Sequence, residues 1–158
     1  LGLRRPPYRY VFDSCALFDL KRDYPINIFP TLWEWFNDMC KEELVIAPRE
    51  VLREIKNGND ELVDWAKEFD NLFLEPTDEE VGILSQVMVC YTPKIIEKHS
   101  IKPWADPFII AAAKHYRLPI LTHEKNDLKE CKIPVIAAKF NIKCIKLIEF
   151  FQDQNWRF

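Results

Sequence analysis

The sequence predicts an α/β protein built on a parallel sheet with helices on both faces. Four short runs, Tyr8 to Phe12 (YRYVF), Leu44 to Ala47 (LVIA), Leu118 to Thr122 (LPILT) and Lys143 to Leu147 (KCIKL), are too brief for helices and carry β-branched or aromatic residues. Between them lie segments whose apolar residues recur at helical spacing. Strands alternating with helices pair in parallel and are covered on both faces.

Taken in order, YRYVF reads as a buried strand that ends at a carboxylate, Asp13. Ala16, Leu17 and Leu20 predict a short helix broken before Pro25. Pro30 to Glu43 places Leu32, Trp33, Phe36, Met39 and Cys40 on one helical face, with proline in the favoured first position. LVIA is the second strand; Pro48 then opens a helix through Val51, Leu52 and Ile55 that stops at Asn57-Gly58. Asp60 to Phe69 is amphipathic, and Leu72 to Leu74 can add a strand. Thr77-Asp78-Glu79-Glu80 is a capping box before a helix over Val81 to Tyr91, because the Thr and Glu side chains can satisfy each other's free backbone N–H groups. Tyr91 to Pro103 predicts a loop or short helix. The Ala-rich FIIAAAKHY after Asp106-Pro107 suits a helix packed closely on a sheet. LPILT and KCIKL are further strands, and a last helix runs from Ile148 to about Gln154.

A chain of 158 residues has the length of one ordinary domain, so residues 1–158 read as a single domain with 1–7 as a flexible leader. Hydrophobic residues make up 48% and charged residues 30%, far from the core-poor composition of a disordered chain. No apolar run reaches the roughly 18 residues of a membrane span, and the Arg- and Pro-rich start has no apolar signal core, so a cytoplasmic protein is expected. The five cysteines are an odd number without a CxxC pair; reduced thiols are expected, with Cys40, Cys90 and Cys144 in core packing. The net charge of -3 lacks the footprint of a protein that coats nucleic acid. Residues 1–79 hold 10 basic against 17 acidic side chains, whereas 80–158 hold 12 against 8, so a local basic surface can lie beside an acidic pocket. Solvated helix faces are the ordinary alternative for most of these lysines.

Ligands of open parallel sheets sit beyond the carboxyl ends of the strands. Asp13 and Glu124 each follow a predicted strand closely, Asp106 starts a helix on the same side, and Glu54 lies about two turns into the helix after the second strand. Four carboxylates can therefore share one pocket. Without a cation this is costly, since two unit charges 4 Å apart repel by roughly 4 kcal/mol at an effective dielectric of 20. An all-oxygen donor set suits Mg²⁺ or Mn²⁺ and not zinc, and such an ion can activate water against a phosphodiester. With three glycines in total, Gly2, Gly58 and Gly82, there is neither a P-loop nor a dinucleotide fingerprint, and no GxSxG or HExxH is present.

In succession these segments resemble the PIN-domain (PilT N-terminus) nuclease superfamily, in its toxin-like bacterial and archaeal branch. YVFDSCALFDL resembles the opening strand and its Asp, VLREIKNG the second motif with Glu54, and ADPFIIAAAKHYRLPILTHEKND the paired third and fourth motifs. KIPVIAAKFNIKCIKLIEFF is similar to the closing helix and strand, so the resemblance covers about residues 8 to 151. It implies a three-layer α/β/α sandwich and Mg²⁺- or Mn²⁺-dependent endoribonuclease activity. It also implies frequent homodimers and, in many members, a toxin held by an antitoxin protein. Asp13, Glu54, Asp106 and Glu124 then form the metal and catalytic set. Cys15 stands where the family commonly has Asn or Ser, and Glu124 where Asp is more frequent, leaving Asp127 as a substitute fourth acid.

Each residue has an ordinary alternative. Asp13 and Asp106 can cap helices, a role compatible with metal binding because a carboxylate has two oxygens. Glu54 by itself is a solvated helix acid. Ser14 can support the site or cap a helix, Thr122 can orient a carboxylate, and His123 flanks the site and could act in proton transfer but reads as a surface residue outside the core site. Trp33, Trp35 and Trp65 read as core or dimer interface, while Trp104 is the aromatic candidate for RNA stacking. Two rival functions remain. One is a PIN-like RNA- or protein-binding module with impaired catalysis, motivated by Cys15 and Glu124. The other is a haloacid-dehalogenase-type phosphohydrolase using Asp13 as nucleophile, which expects a second Asp where Cys15 stands.

Overall fold

The computed structural model describes residues 6–58 and 60–158. Along the chain these form β1 (Tyr10–Phe12), α1 (Ser14–Asp23), α2 (Pro30–Lys41), β2 (Val45–Pro48), α3 (Arg49–Gly58) and α4 (Asp60–Glu68). A single 3-10 turn (Asp70–Leu72) leads to β3 (Phe73–Leu74), α5 (Asp78–Met88), α6 (Pro93–Lys98), α7 (Asp106–Tyr116) and β4 (Ile120–Leu121). The chain closes with α8 (Ile133–Lys139), β5 (Cys144–Ile145) and α9 (Leu147–Asp153).

The strands form one sheet in the order β3-β2-β1-β4-β5, and every pairing is parallel. From β1 the chain winds outward to β2 and β3, then returns to place β4 on the other side of β1. The crevice between the carboxyl ends of β1 and β4 is thus the point where strand order reverses, the usual ligand position of such sheets. Val11 pairs with Ile46 and Ile120 on its two sides, so β1 is central and buried throughout.

Side chains alternate across a strand, so Tyr10 and Phe12 face one layer and Val11 the other. On the first face Phe12 meets Phe36 of α2 and Phe150 of α9 with ring centroids 5.3 and 5.7 Å apart. Both contacts are edge-on, the arrangement that matches a ring's positive edge to a negative face. Opposite them α7 packs on β1, β2 and β4, with α5 outside it. Ala111, Ala112 and Ala113 are buried in α7 and let it approach closely. The result is the expected three-layer α/β/α sandwich.

Local chemistry accounts for most element ends. Leu32, Trp33, Phe36, Met39 and Cys40 are the buried face of α2, as its spacing predicts. At α5 the Thr77 Oγ1 accepts from Glu80 N at 3.2 Å, and Thr77 N donates to Glu80 Oε1 at 3.4 Å, forming the capping box. Several boundaries shift by one to three residues, and two residues fall in a different element from the one expected. Pro48 is the last residue of β2, paired with Leu74, and the helix begins one residue later. Leu72 closes the 3-10 turn, leaving two residues for β3. The helix α8, anticipated only through the family resemblance, forms with Ile133, Ile136 and Ala137 inward. Most of the expected leader, residues 1–5, lies outside the described residues; Pro6 and Pro7 are exposed and in neither helix nor strand. Among the described residues no helix is long and apolar enough to cross a membrane. All five cysteines are free; Cys40 and Cys131 are buried, whereas Cys90 and Cys144 are half-buried at the core's margin.

Candidate active site

Asp13 leaves β1 at the switch point and is 2% exposed. Its Oδ2 accepts from the Thr122 hydroxyl at 2.8 Å and from the Cys15 thiol at 2.7 Å. Thr122 directly follows β4, so this contact joins the two strand ends that flank the crevice. Backbone bonds from Asp13 N to Leu121 O and from Thr122 N to Ile145 O hold those ends in register. Burial raises the Asp13 pKa, against the lowering effect of its Cys15 and Thr122 hydrogen bonds.

Glu54 reaches the same crevice from α3. Its Oε1 accepts from the Ser14 hydroxyl at 2.9 Å and its Oε2 from Ala105 N at 3.3 Å, so both oxygens are positioned. Ser14 therefore supports Glu54 in preference to capping its own helix. Burial first, then the charges of Asp13 and Glu124, push the Glu54 carboxyl up to about 7 against these hydrogen bonds. Asp106, at the first position of α7, is 8% exposed. Burial and the negative charges of Glu124, Asp13 and Glu54 raise it well above the ordinary carboxylate range. These mutual influences bring all four predicted acids into one electrostatic unit.

Glu124 takes the fourth place. Its Oε2 accepts from Ile133 N at 2.8 Å, tying it to the start of α8, and its charge acts on Asp106. Burial, followed by the charge of Asp13, raises its pKa. Asp127 turns elsewhere: its Oδ1 accepts from Lys129 N and Glu130 N at 3.0 and 3.3 Å and shapes its own turn. Of the two, Glu124 is the acid that lies with Asp13, Glu54 and Asp106.

Cys15 is a hydrogen-bonding thiol in this site. Burial and the adjacent Asp13 raise its pKa far above that of a free cysteine, so it stays protonated. His123, expected at the surface, is half-buried and bonded on both ring nitrogens. Leu147 N donates to its Nε2 at 3.1 Å, and its Nδ1 lies 2.6 Å from Asp19 Oδ2. An acceptor Nε2 requires the proton on Nδ1, which makes the ring a neutral strut between α1 and α9. Sequence gave no signal for this, because Asp19 and Leu147 meet His123 only in the folded chain.

Trp104 is not an open stacking platform. His99 lies flat on it, with centroids 4.4 Å apart and planes at 6°. Tyr91 packs edge-on at 4.7 Å. The Tyr91 hydroxyl and the Trp104 Nε1 are both buried without a hydrogen-bond partner. Trp33 and Trp65 meet at 6.3 Å within the aromatic core, and Trp35 packs on Trp156 and Phe158.

The donor set is all oxygen and hard, which fits a divalent cation of the Mg²⁺ or Mn²⁺ kind. The raised carboxyl pKa values are the expected mark of several acids gathered without a counter-charge. Among the described residues no three His, Cys, Asp or Glu side chains already stand at the spacing of a formed metal centre. The internal hydrogen bonds of Glu54 and Glu124 hold oxygens that a cation would compete for.

Fold and site together define an α/β/α sandwich with a buried carboxylate cluster at its switch point. The chain belongs to the family described as Domain of unknown function (DUF4411), whose model matches residues 10–158 and so spans all four acids. Comparison with curated proteins gives no match.

Proposed function

We propose that this protein is a divalent-metal-dependent endoribonuclease. The observation that carries the reading is the meeting of Asp13, Glu54, Asp106 and Glu124, from four separate parts of the chain, in one buried cluster whose carboxyl pKa values are raised by burial and, for Glu54, Asp106 and Glu124, also by the charges of neighbouring acids. These four would hold Mg²⁺ or Mn²⁺, which supplies Lewis acidity toward a phosphate oxygen and an attacking water. Thr122 and Cys15 fix Asp13, while Ser14 and the Ala105 N–H fix Glu54, so the acids are presented in one arrangement. Lys132 is near enough to oppose the raised pKa values of Asp106 and Glu124, so a positive charge lies close to the acids. Cys15 stays a neutral thiol at the position where an aspartyl-phosphate route expects a second Asp, which disfavours that route.

The choice of RNA among phosphodiesters rests on the resemblance to PIN domains. So do a toxin role with a cognate antitoxin and a homodimer. The test is cleavage of a mixed RNA pool with Mn²⁺ or Mg²⁺. Chelator-sensitive cleavage is expected, with Asp13→Asn reducing it on the order of a hundredfold or more. Cleavage that survives chelation or that substitution would overturn the mechanism. A PIN-like binding module without catalysis is the second reading, favoured by the Cys15 thiol on Asp13. Binding of RNA with Mn²⁺ bound but no turnover would select it.

A further inference from the structure

Asp13 and Asp106 are 2% and 8% exposed, so a polynucleotide cannot spread over them. It has to lie in an opening that the acid cluster shares. One such opening is present on the β5 side. Thr122, which donates to Asp13, and Glu124 of the cluster itself both stand in the wall of a cavity of about 360 Å³. Cys144 and Ile145 of β5 line it as well, and β5 is the last strand of the sheet. The cavity thus sits at the carboxyl ends of β4 and β5, where parallel sheets bind ligands. Its volume falls in the range of about 300–1,000 Å³ found for small-ligand pockets, which suits one nucleotide unit and not a duplex.

Two cations stand in the same wall. Lys125 comes from the segment after β4 and Lys146 from the residue after β5. Both are exposed, and neither takes part in an ion pair among the described residues. Glu149 is the wall's acid outside the cluster, and its Oε1 accepts from Lys146 N at 3.3 Å. With a cation on the cluster Glu124 is neutralised, and the two lysines then outnumber Glu149. Here a local basic surface adjoins the acidic pocket, as the charge balance of residues 80–158 allows.

We propose that this cavity is the subsite for the nucleotide next to the scissile phosphate, with Lys125 and Lys146 holding that nucleotide's own phosphate. The substrate strand then leaves the acid cluster over the β5 edge of the sheet. The proposal rests on the nuclease reading for its substrate.

The test compares Lys125→Gln, Lys146→Gln and their combination with Lys67→Gln on α4 as a remote control. Binding of a fluorescent single-stranded RNA is followed by anisotropy from about 50 to about 200 mM salt. It is read with Mn²⁺ in the Asp13→Asn background, which the nuclease reading makes slow to cleave. Each lysine is expected to contribute about two- to fivefold in affinity, the range of an exposed ion pair, and about 0.7 to the slope of log affinity against log salt. Lys146→Arg is expected to restore the slope, and Lys67→Gln to leave it unchanged. With the native acids, kcat/KM is measured for RNA and for bis(p-nitrophenyl) phosphate, a diester that engages the acid cluster alone. The ratio of the two is expected to fall about tenfold in the double variant. An unchanged slope and ratio in that variant would overturn the subsite and leave the nuclease reading intact. So would a loss no larger than that of Lys67→Gln. If wild type cleaves neither RNA nor the diester while the lysine variants lose binding, the subsite stands as an RNA contact and the nuclease reading falls. No RNA binding in the reference protein would overturn the subsite, and diester cleavage alone then decides the metal chemistry.

Discussion

Thr122 is the side chain on which the placement of Asp13 most depends. It is 3% exposed, donates to Asp13 Oδ2 and accepts from Glu124 N at 3.1 Å, so one hydroxyl serves two of the four acids. Thr122→Val keeps the shape and removes both bonds. Stability is expected to fall by about 1–3 kcal/mol in chemical denaturation, because a buried carboxylate loses a donor and an N–H its acceptor. Metal-dependent cleavage should fall about ten- to a hundredfold, as for residues that orient metal ligands. A variant that is destabilised yet fully active would show that Thr122 serves the fold alone. Cys15 shares Asp13 Oδ2, so the thiol at this position acts as a weak donor, the part a Ser or Asn would play with a stronger one.

Helices divide the labour between holding the site and holding the fold. α7 brings Asp106 to the crevice with its first residue and ends at Arg117 in the left-handed region, φ 58°, where the chain turns into β4. α5 only backs α7, and its start depends on the Thr77 capping box. Thr77→Ala is expected to cost about 1 kcal/mol by denaturant unfolding and to leave RNA cleavage unchanged. Loss of activity at full stability would mean that α5 reports to the site in a way its packing does not account for. At the other edge, His123 pins the start of α9 to α1 through a neutral ring, which explains its burial without a part in proton transfer.

Across the whole molecule, the acid cluster sets a pH dependence that opposes ordinary acid denaturation. The Glu54 pKa rises from 4.5 to about 7 on folding, so folding takes up protons in that interval. The stabilisation from protonated Glu54 is complete below pH 4.5 and is lost as pH rises through about 7. Asp106, Asp13 and Glu124 shift in the same direction. The metal-free melting temperature is therefore expected to drop between about pH 5 and about pH 8. Mn²⁺ should restore it at the higher pH, where ionised carboxylates bind best. A melting temperature that rises over this range without metal, or is indifferent to Mn²⁺ above it, would contradict a cation-binding cluster.

Much of this architecture is legible in the chain itself, because the period of apolar residues is a local property. The buried face of α2, the capping box of α5 and the alternation of strand and helix all follow from residues a few positions apart. Asp13 and Asp106 were also legible, since the end of a buried strand and the start of a helix are local signals and parallel sheets direct both to one edge. Glu54 needed the succession of motifs, because a single helix acid is ordinary. Tertiary packing alone decided the rest. It set the strand order, brought Glu124 and not Asp127 to the other acids, and placed Thr122 on Asp13. Those contacts join residues far apart in sequence and depend on how whole layers close over one another, which no local period encodes.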